Sequence, residues 1–312
     1  MKKCLFVFNP KSGKGKIEKN REFIEKELSS VHQLESIPST KRGDIEKIVK
    51  EKAGNADLLV VAGGDGSLNE AINGLMHLST RPIVGYIPSG TVNDVAHSLS
   101  IPLAIKGAVK NILQGQPFVH DVIKAGERYG IYVACAGVFT HASYSTDQNV
   151  KKKMGKIAYT LNGAKNIFSN NALKLKLEYD GKVLQGNYAL ILILNSRNVA
   201  GFNVNKKALL NDGKVDVLLV ESQKDKVKLE ALLKVVNLFL FGIRKKLPKG
   251  ILHLVLDKFK ITLPDDTPIN LDGELSFHGG FDCEVLQSAI QIIVPNCANI
   301  FSKASIKQDK EV

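Results

Sequence analysis

One stretch limits the folds open to this chain more than any other: Ala56-Asp-Leu-Leu-Val-Val-Ala-Gly-Gly-Asp-Gly-Ser-Leu-Asn-Glu-Ala71. Leu58 to Ala62 is a short, unbroken apolar run, the pattern of a strand covered on both faces in a parallel sheet. Gly63, Gly64 and Gly66 then permit a tight bend and close approach to a ligand, because glycine carries no Cβ. Leu68, Ala71, Ile72, Leu75 and Met76 follow at helical spacing, with Ser67 and Glu70 spaced as a capping box. A strand, a glycine turn and a helix in that order aim the helix N-terminus at the ligand side of the sheet. There, unpaired backbone N–H groups and the helix dipole make an anion site. Asp65 lies inside it, and a carboxylate beside a phosphate needs a cation between them, so Asp65 reads as a Mg2+ holder. The plainer reading is that Gly-Asp-Gly is a turn. Glu70 needs no role beyond its capping box.

The same unit recurs. Cys4 to Phe8 forms an apolar strand, Asn9-Pro-Lys-Ser-Gly-Lys-Gly-Lys16 a turn whose N–H groups and lysines suit phosphate, and Ile17, Ile24, Leu28 and Val31 one helix face. Leu34 to Ile37 leads to Pro38-Ser39-Thr40 and a helix over Asp44 to Lys52; Ile83 to Ile87 leads to Pro88-Ser-Gly-Thr-Val-Asn-Asp94, with Thr91 and Asp94 in capping-box spacing. Four such units argue for a doubly wound parallel sheet, with ligands beyond the carboxyl ends of its strands. Phe118 to Ile123 is read as a last strand, with Asp121 on a wet face. Neither G-x-x-x-x-G-K-[ST] nor G-x-G-x-x-G is present.

From about residue 126 the pattern turns to strands and hairpins: Leu173 to Tyr179, Asp180-Gly181 as a turn, Tyr188 to Leu194, Val215 to Val220, Leu252 to Leu256, Phe259 to Leu263, Phe281 to Leu286 and Ile290 to Val294. Two helices interrupt it, Met154 to Phe168 after Lys151-Lys-Lys153 and Leu229 to Ile243 before Arg244-Lys-Lys246. The reading is two domains, 1–125 for nucleotide and a β-rich 126–300 for substrate, with a strand near 290–300 returning to the first and 301–312 a polar tail. Apolar helices rimmed by lysine suit a greasy substrate at an anionic membrane, although both helices could simply pack on the sheet. The formal charge of +12 favours an anionic partner, while 6% aromatic residues and the lack of an interleaved basic helix argue against nucleic acid. Cys4, Cys135, Cys283 and Cys297 are scattered, which suggests thiols in a reducing compartment. No signal peptide is visible and Leu229 to Ile243 is too short and polar to span a bilayer, so the expected place is cytoplasmic and peripheral. A homodimer stays open. Leu271-Asp-Gly-Glu274 is a tight polar turn; folded back over the first domain, Glu274 could serve as a general base.

Together these motifs resemble the diacylglycerol kinase catalytic-domain family of bacterial lipid kinases, which includes sphingosine kinases. The resemblance runs from about residue 3 to 300. It rests on Asn9-Pro-x-Ser-Gly13, Gly63-Gly-Asp-Gly-Ser-x-Asn-Glu70, Pro88-x-Gly-Thr-x-Asn-Asp-x-Ala96, the segment Lys152 to Gly163, Asn211-Asp-Gly-x-x-Asp216 and Asp272-Gly-Glu274. It implies an NAD-kinase-like α/β domain followed by a β-sandwich that holds lipid. It also implies ATP across Asn9, Pro10, Lys11, Ser12, Gly13, Thr40, Gly64, Asp65, Gly66, Ser67, Leu68, Asn69, Glu70 and Thr91. Asp65 and Asp121 would belong to a Mg2+ and phosphate network, with Glu274 as proton acceptor. A structural Mg2+ near Asp216 is implied too. Because the carbonyls of Val217 and Leu219 point the same way in a strand that Lys214 precedes, these three are its expected ligands, with Asp216 acting through water. Ser67 replaces a usual Thr, Val92 a frequent Gly, and Phe139-Thr-His141 a common Phe-Asp-Ala. The implied reaction is phosphoryl transfer from ATP to a lipid hydroxyl, most simply that of diacylglycerol. The alternatives are a soluble NAD-kinase-type enzyme, which shares a Gly-Gly-Asp-Gly turn, and a non-catalytic membrane-binding module.

Overall fold

The computed structural model describes residues 1–138, 172–222 and 229–296. The helix expected over Met154 to Phe168, the Phe139-Thr-His141 departure and the polar tail lie outside the described residues. The first part of the chain runs β1 (Lys2–Phe8), α1 (Ser12–Lys19), α2 (Arg21–Ser29), β2 (His32–Pro38), α3 (Asp44–Lys52), β3 (Leu58–Gly63), α4 (Asp65–Leu75), β4 (Ile83–Pro88), α5 (Asp94–Ser98), α6 (Ile105–Gln114) and β5 (Gln116–Ala125). Strands β2, β1, β3 and β4 lie side by side and parallel in that order.

Alternation along β1 explains why helices cover both faces. Cys4, Phe6 and Phe8 point to one side, where Ile17, Ile24, Leu28, Ala108, Val109 and Ile112 close over them. Leu5 and Val7 point to the other, against Ile45, Val49, Leu68, Ile72 and Leu75. Phe6, Phe8, Leu59, Leu68 and Ile72 are fully buried, and each such side chain contributes about 1.5–3 kcal/mol. The first helical stretch differs from its periodicity. It breaks at Asn20, whose side-chain amide donates to Lys16 O, and Val31 falls past the second helix, 51% exposed.

The second part is sheet-rich. It comprises β6 (Arg128–Gly130), β7 (Val133–Gly137), β8 (Leu173–Tyr179), β9 (Lys182–Leu194), β10 (Asn198–Val199), β11 (Phe202–Asn203), β12 (Val215–Glu221), α7 (Leu229–Phe241), β13 (Ile251–Leu256), β14 (Lys258–Thr262), β15 (Pro268–Leu271), β16 (Glu274–His278) and β17 (Phe281–Val294). The long β9 pairs with β7, β8 and β12, all antiparallel, and Leu175, Leu177, Ile191, Ile193, Val217 and Leu219 share one apolar core.

Strand β17 joins the two parts. The sequence suggests two strands here, Phe281 to Leu286 and Ile290 to Val294; the structure has one of 14 residues with a bulge between Leu286 and Ile290. Its first residues pair with β14, its whole length with β5, and Ile292 sits parallel beside Val84 of β4. Ser288 in the bulge takes φ 53° and donates its N–H to Asp121.

Candidate functional site

A cleft of about 860 Å³ opens beyond the carboxyl ends of β1 to β4. Its floor carries Asn9, Lys11, Ser12, Thr40, Gly64, Gly66, Ser67, Asn69, Glu70 and Thr91; the opposite wall carries Arg128, Leu271, Glu274, Leu275 and Ser276. Lys41 and Arg42 stand at its rim. Most of the sequence-predicted nucleotide residues are therefore together, while Pro10 and Gly13 back the first turn.

Local chemistry shapes that floor. Asn9 Oδ1 accepts the N–H of Lys11 at 3.0 Å, and Ser12 and Ser89 join hydroxyls at 2.7 Å. Gly13 has φ +58°, and a Cβ there would stand 2.7 Å from Ser89 O, so only glycine fits without a shift. Helix α4 starts at Asp65 with Gly64 as its N-cap, so Ser67 is not the cap that its spacing suggested. The first N–H groups of the helix lack intrahelical acceptors and point at the cleft end, where phosphate oxygens are favoured. Leu68 lies in the core and its N–H is taken by Gly64 O at 3.1 Å, which leaves it no direct part in the cleft.

Glu70 does cap a helix, but not its own. Its carboxylate accepts the N–H groups of Gly43 at 2.9 Å and Ile45 at 3.2 Å, at the start of α3. Thr40 likewise donates to Asp44, through both its N–H at 2.8 Å and its hydroxyl. Burial raises the Glu70 acid above its ordinary range, with the two N–H groups opposing that shift.

Asp65, the expected Mg2+ holder, is not among the residues that line the cleft. Its carboxylate accepts the N–H groups of Asp94 at 3.1 Å and Val95 at 3.4 Å, capping α5, and burial raises its acid against the pull of those N–H groups. Asp94 is the first residue of α5 rather than a capping-box partner of Thr91, because Asn93 takes the N-cap position. The Asp94 carboxylate accepts from Ala200 at 2.6 Å and Gly201 at 2.9 Å, in the turn between β10 and β11.

Glu274 is the residue that the far wall contributes. The two-residue turn Asp272-Gly273, with φ 51° and 83°, joins β15 to β16 and folds Glu274 back over α4. Its Oε1 lies 3.1 Å from where a Cβ of Gly66 would stand, and its Oε2 is 3.1 Å from Arg42 Nη2. Beneath it, Asp272 is 1% exposed and accepts four donors: Ile131 N at 2.7 Å, Tyr132 N at 2.9 Å, Val133 N at 3.0 Å and Asn69 Nδ2 at 2.7 Å. Burial pushes the Asp272 acid up to about 6 against the pull of those bonds. The pair Asn69–Asp272 thus fixes the turn bearing Glu274 to the helix bearing Gly66.

Sequence reasoning missed Arg42, Arg128 and Asp272 as site-builders. Arg128 forms a fork with Glu46 at 3.0 and 2.9 Å on the cleft wall. The one usable signal was the Lys41-Arg42-Gly43 run directly after Thr40.

One further expectation changes. Asp121 is not on a wet face: it is fully buried, and its carboxylate accepts Gly213 N and Ser288 N, both at 2.7 Å, away from the cleft lining. Burial without those donors would be costly, so Asp121 ties β5 to the 211–214 loop and the β17 bulge. Of the expected Mg2+ ligands, Val217 and Leu219 lie in β12 and Lys214 in the loop before it. Strand β12 pairs with β9 on one edge and β13 on the other, so the Val217 and Leu219 carbonyls point into ladders. The Asp216 carboxylate already meets His253 Nε2 and Asn205 Nδ2, each at 2.5 Å. Among the described residues no three His, Cys, Asp or Glu side chains group as a metal site, and the expected ligands here are main-chain oxygens.

Residues 3–125 match the family model described as diacylglycerol kinase catalytic domain. A diacylglycerol kinase of Bacillus subtilis (strain 168) is 31% identical over 278 residues, covering 88% of this chain and 90% of that protein. One from Staphylococcus aureus (strain MRSA252) is 32% identical over 301 residues, covering 95% and 93%. Two crystal structures from Bacillus anthracis str. Sterne superpose at 27% identity, with TM-scores of 0.82 and 0.77. The first covers 95% of this chain and 98% of that one; the second, over 94% and 97%, is a structure described as that of a diacylglycerol kinase.

Proposed function

The chain belongs to the diacylglycerol kinase family of lipid kinases, and from that premise we propose that it transfers the γ-phosphoryl group of ATP to the free hydroxyl of diacylglycerol, giving phosphatidic acid. The observation that carries this reading is the placement of the Glu274 carboxylate directly over the Gly66 turn at the N-terminus of α4. Phosphoryl transfer asks for charge neutralisation and alignment more than for covalent help from the protein. The α4 N–H groups, Lys11, Lys41 and Arg42 surround the place for the triphosphate. Magnesium would come as the counter-ion of the nucleotide and supply further neutralisation.

In the proposed step the lipid oxygen bonds to the γ-phosphorus, the bond from that phosphorus to the β–γ bridging oxygen breaks, and ADP leaves. The hydroxyl proton passes to Glu274, whose carboxylate lies beside Arg42 in the cleft. The lipid would be met at an anionic membrane on the cytoplasmic side. No helix among the described residues is long and apolar enough to cross a membrane.

The test is transfer of labelled phosphate from MgATP to a panel of hydroxyl lipids in anionic mixed micelles, with Glu274→Gln alongside. Labelled phosphatidic acid, cut by about 10²- to 10⁴-fold in kcat in the variant while ATP still binds, supports the reading. Label appearing only on NAD, or a variant as fast as the wild type, would overturn it.

A further inference from the structure

Helix α7 is apolar on two opposite sides. Ala231, Leu232, Val235 and Leu238 are buried against the sheet, as one face of an amphipathic helix should be. The other side should then be polar, yet Leu229, Leu233, Leu240 and Phe241 stand 55%, 59%, 61% and 56% exposed. Four large apolar side chains on one short helix form a patch rather than scattered exceptions. At its C-terminal end the chain continues as Arg244, Lys245 and Lys246, all exposed, with Lys249 close behind. Arg244 lies 5.0 Å over the Phe241 ring and donates to Asn237, which keeps its charge at the edge of the patch. The acidic residue of the helix, Glu230, is paired with Lys234 at 2.8 Å and so subtracts little from that charge.

Apolar side chains beside a basic cluster, on a helix of about 20 Å, match a surface that lies in a bilayer interface rather than one that crosses it. We propose that the outer face of α7 docks this protein on an anionic lipid bilayer. The proposal deepens the lipid-kinase reading by naming the surface through which the enzyme meets its substrate. Its place in the fold links it to the cleft. Phe239 of α7 packs edge-on against Phe202 at 5.8 Å, and the turn before Phe202 donates Ala200 N and Gly201 N to Asp94. Asp94 lies three residues past Thr91 of the cleft, and its own N–H is held by Asp65 of α4. One chain of contacts therefore runs from the proposed membrane face to the phosphate side of the site.

The test uses the full chain and extruded vesicles of phosphatidylcholine alone or mixed with an equal share of phosphatidylglycerol. Sedimentation should show wild-type binding to the mixed vesicles that weakens with salt. Leu233→Asp together with Leu240→Asp should cut that binding by about a hundredfold, about tenfold for each leucine withdrawn from the interface. Lys245→Glu with Lys246→Glu should cut it by at least about thirtyfold and leave the weak binding to phosphatidylcholine unchanged. All four side chains are exposed, so both variants should melt like the wild type, and both should phosphorylate a detergent-dispersed short-chain diacylglycerol at the normal rate. Vesicle binding unchanged in both variants overturns the proposal. So does a leucine variant whose only defect is conversion of a dimer to a monomer, which would make this face a contact between copies. Binding that depends on α7 in a protein that phosphorylates no lipid would leave this proposal standing and sink the lipid-kinase reading instead.

Discussion

Replacing Gly66 with alanine separates folding from chemistry at a single methyl group. A Cβ at this position would stand 3.1 Å from Glu274 Oε1, 3.7 Å from its Cγ and 3.8 Å from its Cδ. Unstrained contacts between such atoms fall at about 3.5–4.0 Å, so the carboxylate must retreat by roughly 0.5 Å. It can do so cheaply, because Glu274 and its partner Arg42 have side chains 48% and 72% exposed and an ion pair that open contributes little. The helix gains meanwhile, since Gly→Ala at a compatible position stabilises by about 0.4–1 kcal/mol. For a protein of this size that raises Tm by about 1–3 °C. Chemistry loses: since a misplacement of about 1 Å can cost about 10²-fold, a retreat of roughly 0.5 Å should cost about tenfold. The assay pairs thermal melting with steady-state transfer from MgATP to micellar diacylglycerol. Higher Tm with kcat down about tenfold supports the argument, whereas a stabilised variant with wild-type kcat shows that Glu274 does not work from its place over α4.

Gly13→Ala should behave in the opposite way: its Cβ meets a backbone oxygen at 2.7 Å and φ is +58°, so stability drops by about 2 kcal/mol or more, read as a lower Tm with ATP binding weakened in proportion. Asp272→Ala leaves four buried donors without an acceptor; after relief of the buried charge the net loss should be about 3 kcal/mol by urea unfolding, with kcat falling because the Glu274 turn is released. His120 is fully enclosed, and burial lowers it from 6.5 to about 4, so its neutral form is favoured in the fold. Its stability contribution is complete above pH 6.5 and is lost as pH falls toward 4, by about 3 kcal/mol, and His120→Gln should flatten that acid limb in urea titrations. Asp272 acts with the opposite sign: its acid is raised to about 6, so its contribution shrinks as pH rises from 3.8 to 6, and Asp272→Ala should steepen the acid limb.

The nucleotide half was readable because its signals are local. Leu58 to Ala62, the glycines after it and the spacing of Leu68, Ile72 and Leu75 lie within one βα unit, and burial of every β3 residue follows from that run. What failed were side chains whose partners are far along the chain. Glu70 has capping-box spacing, yet the N–H groups it caps are those of Gly43 and Ile45 at the start of α3, 27 and 25 residues earlier. Asp121 looked like a wet-face charge because nothing near it can satisfy a carboxylate; its donors come from Gly213 and Ser288. The Arg42–Glu274 pair spans the two parts of the chain, and no periodicity encodes such a contact. The bulge at Ser288 was hidden for a different reason: a break in alternation reads as the end of one strand and the start of another, although the backbone continues.

Strand β17 has a consequence for how the protein is made. Residues up to Ala125 leave the ribosome as an apparently complete nucleotide unit, but β4 and β5 both await a neighbour that ends at Val294. Synthesis at about 5–20 residues per second puts roughly 10–30 s between those events. During that interval the nascent sheet exposes an apolar edge, the situation in which chains pair with the wrong partner. Chaperone dependence should therefore be greatest while the second part is being translated, and a stop codon placed just before β17 should yield aggregate rather than a working half-enzyme.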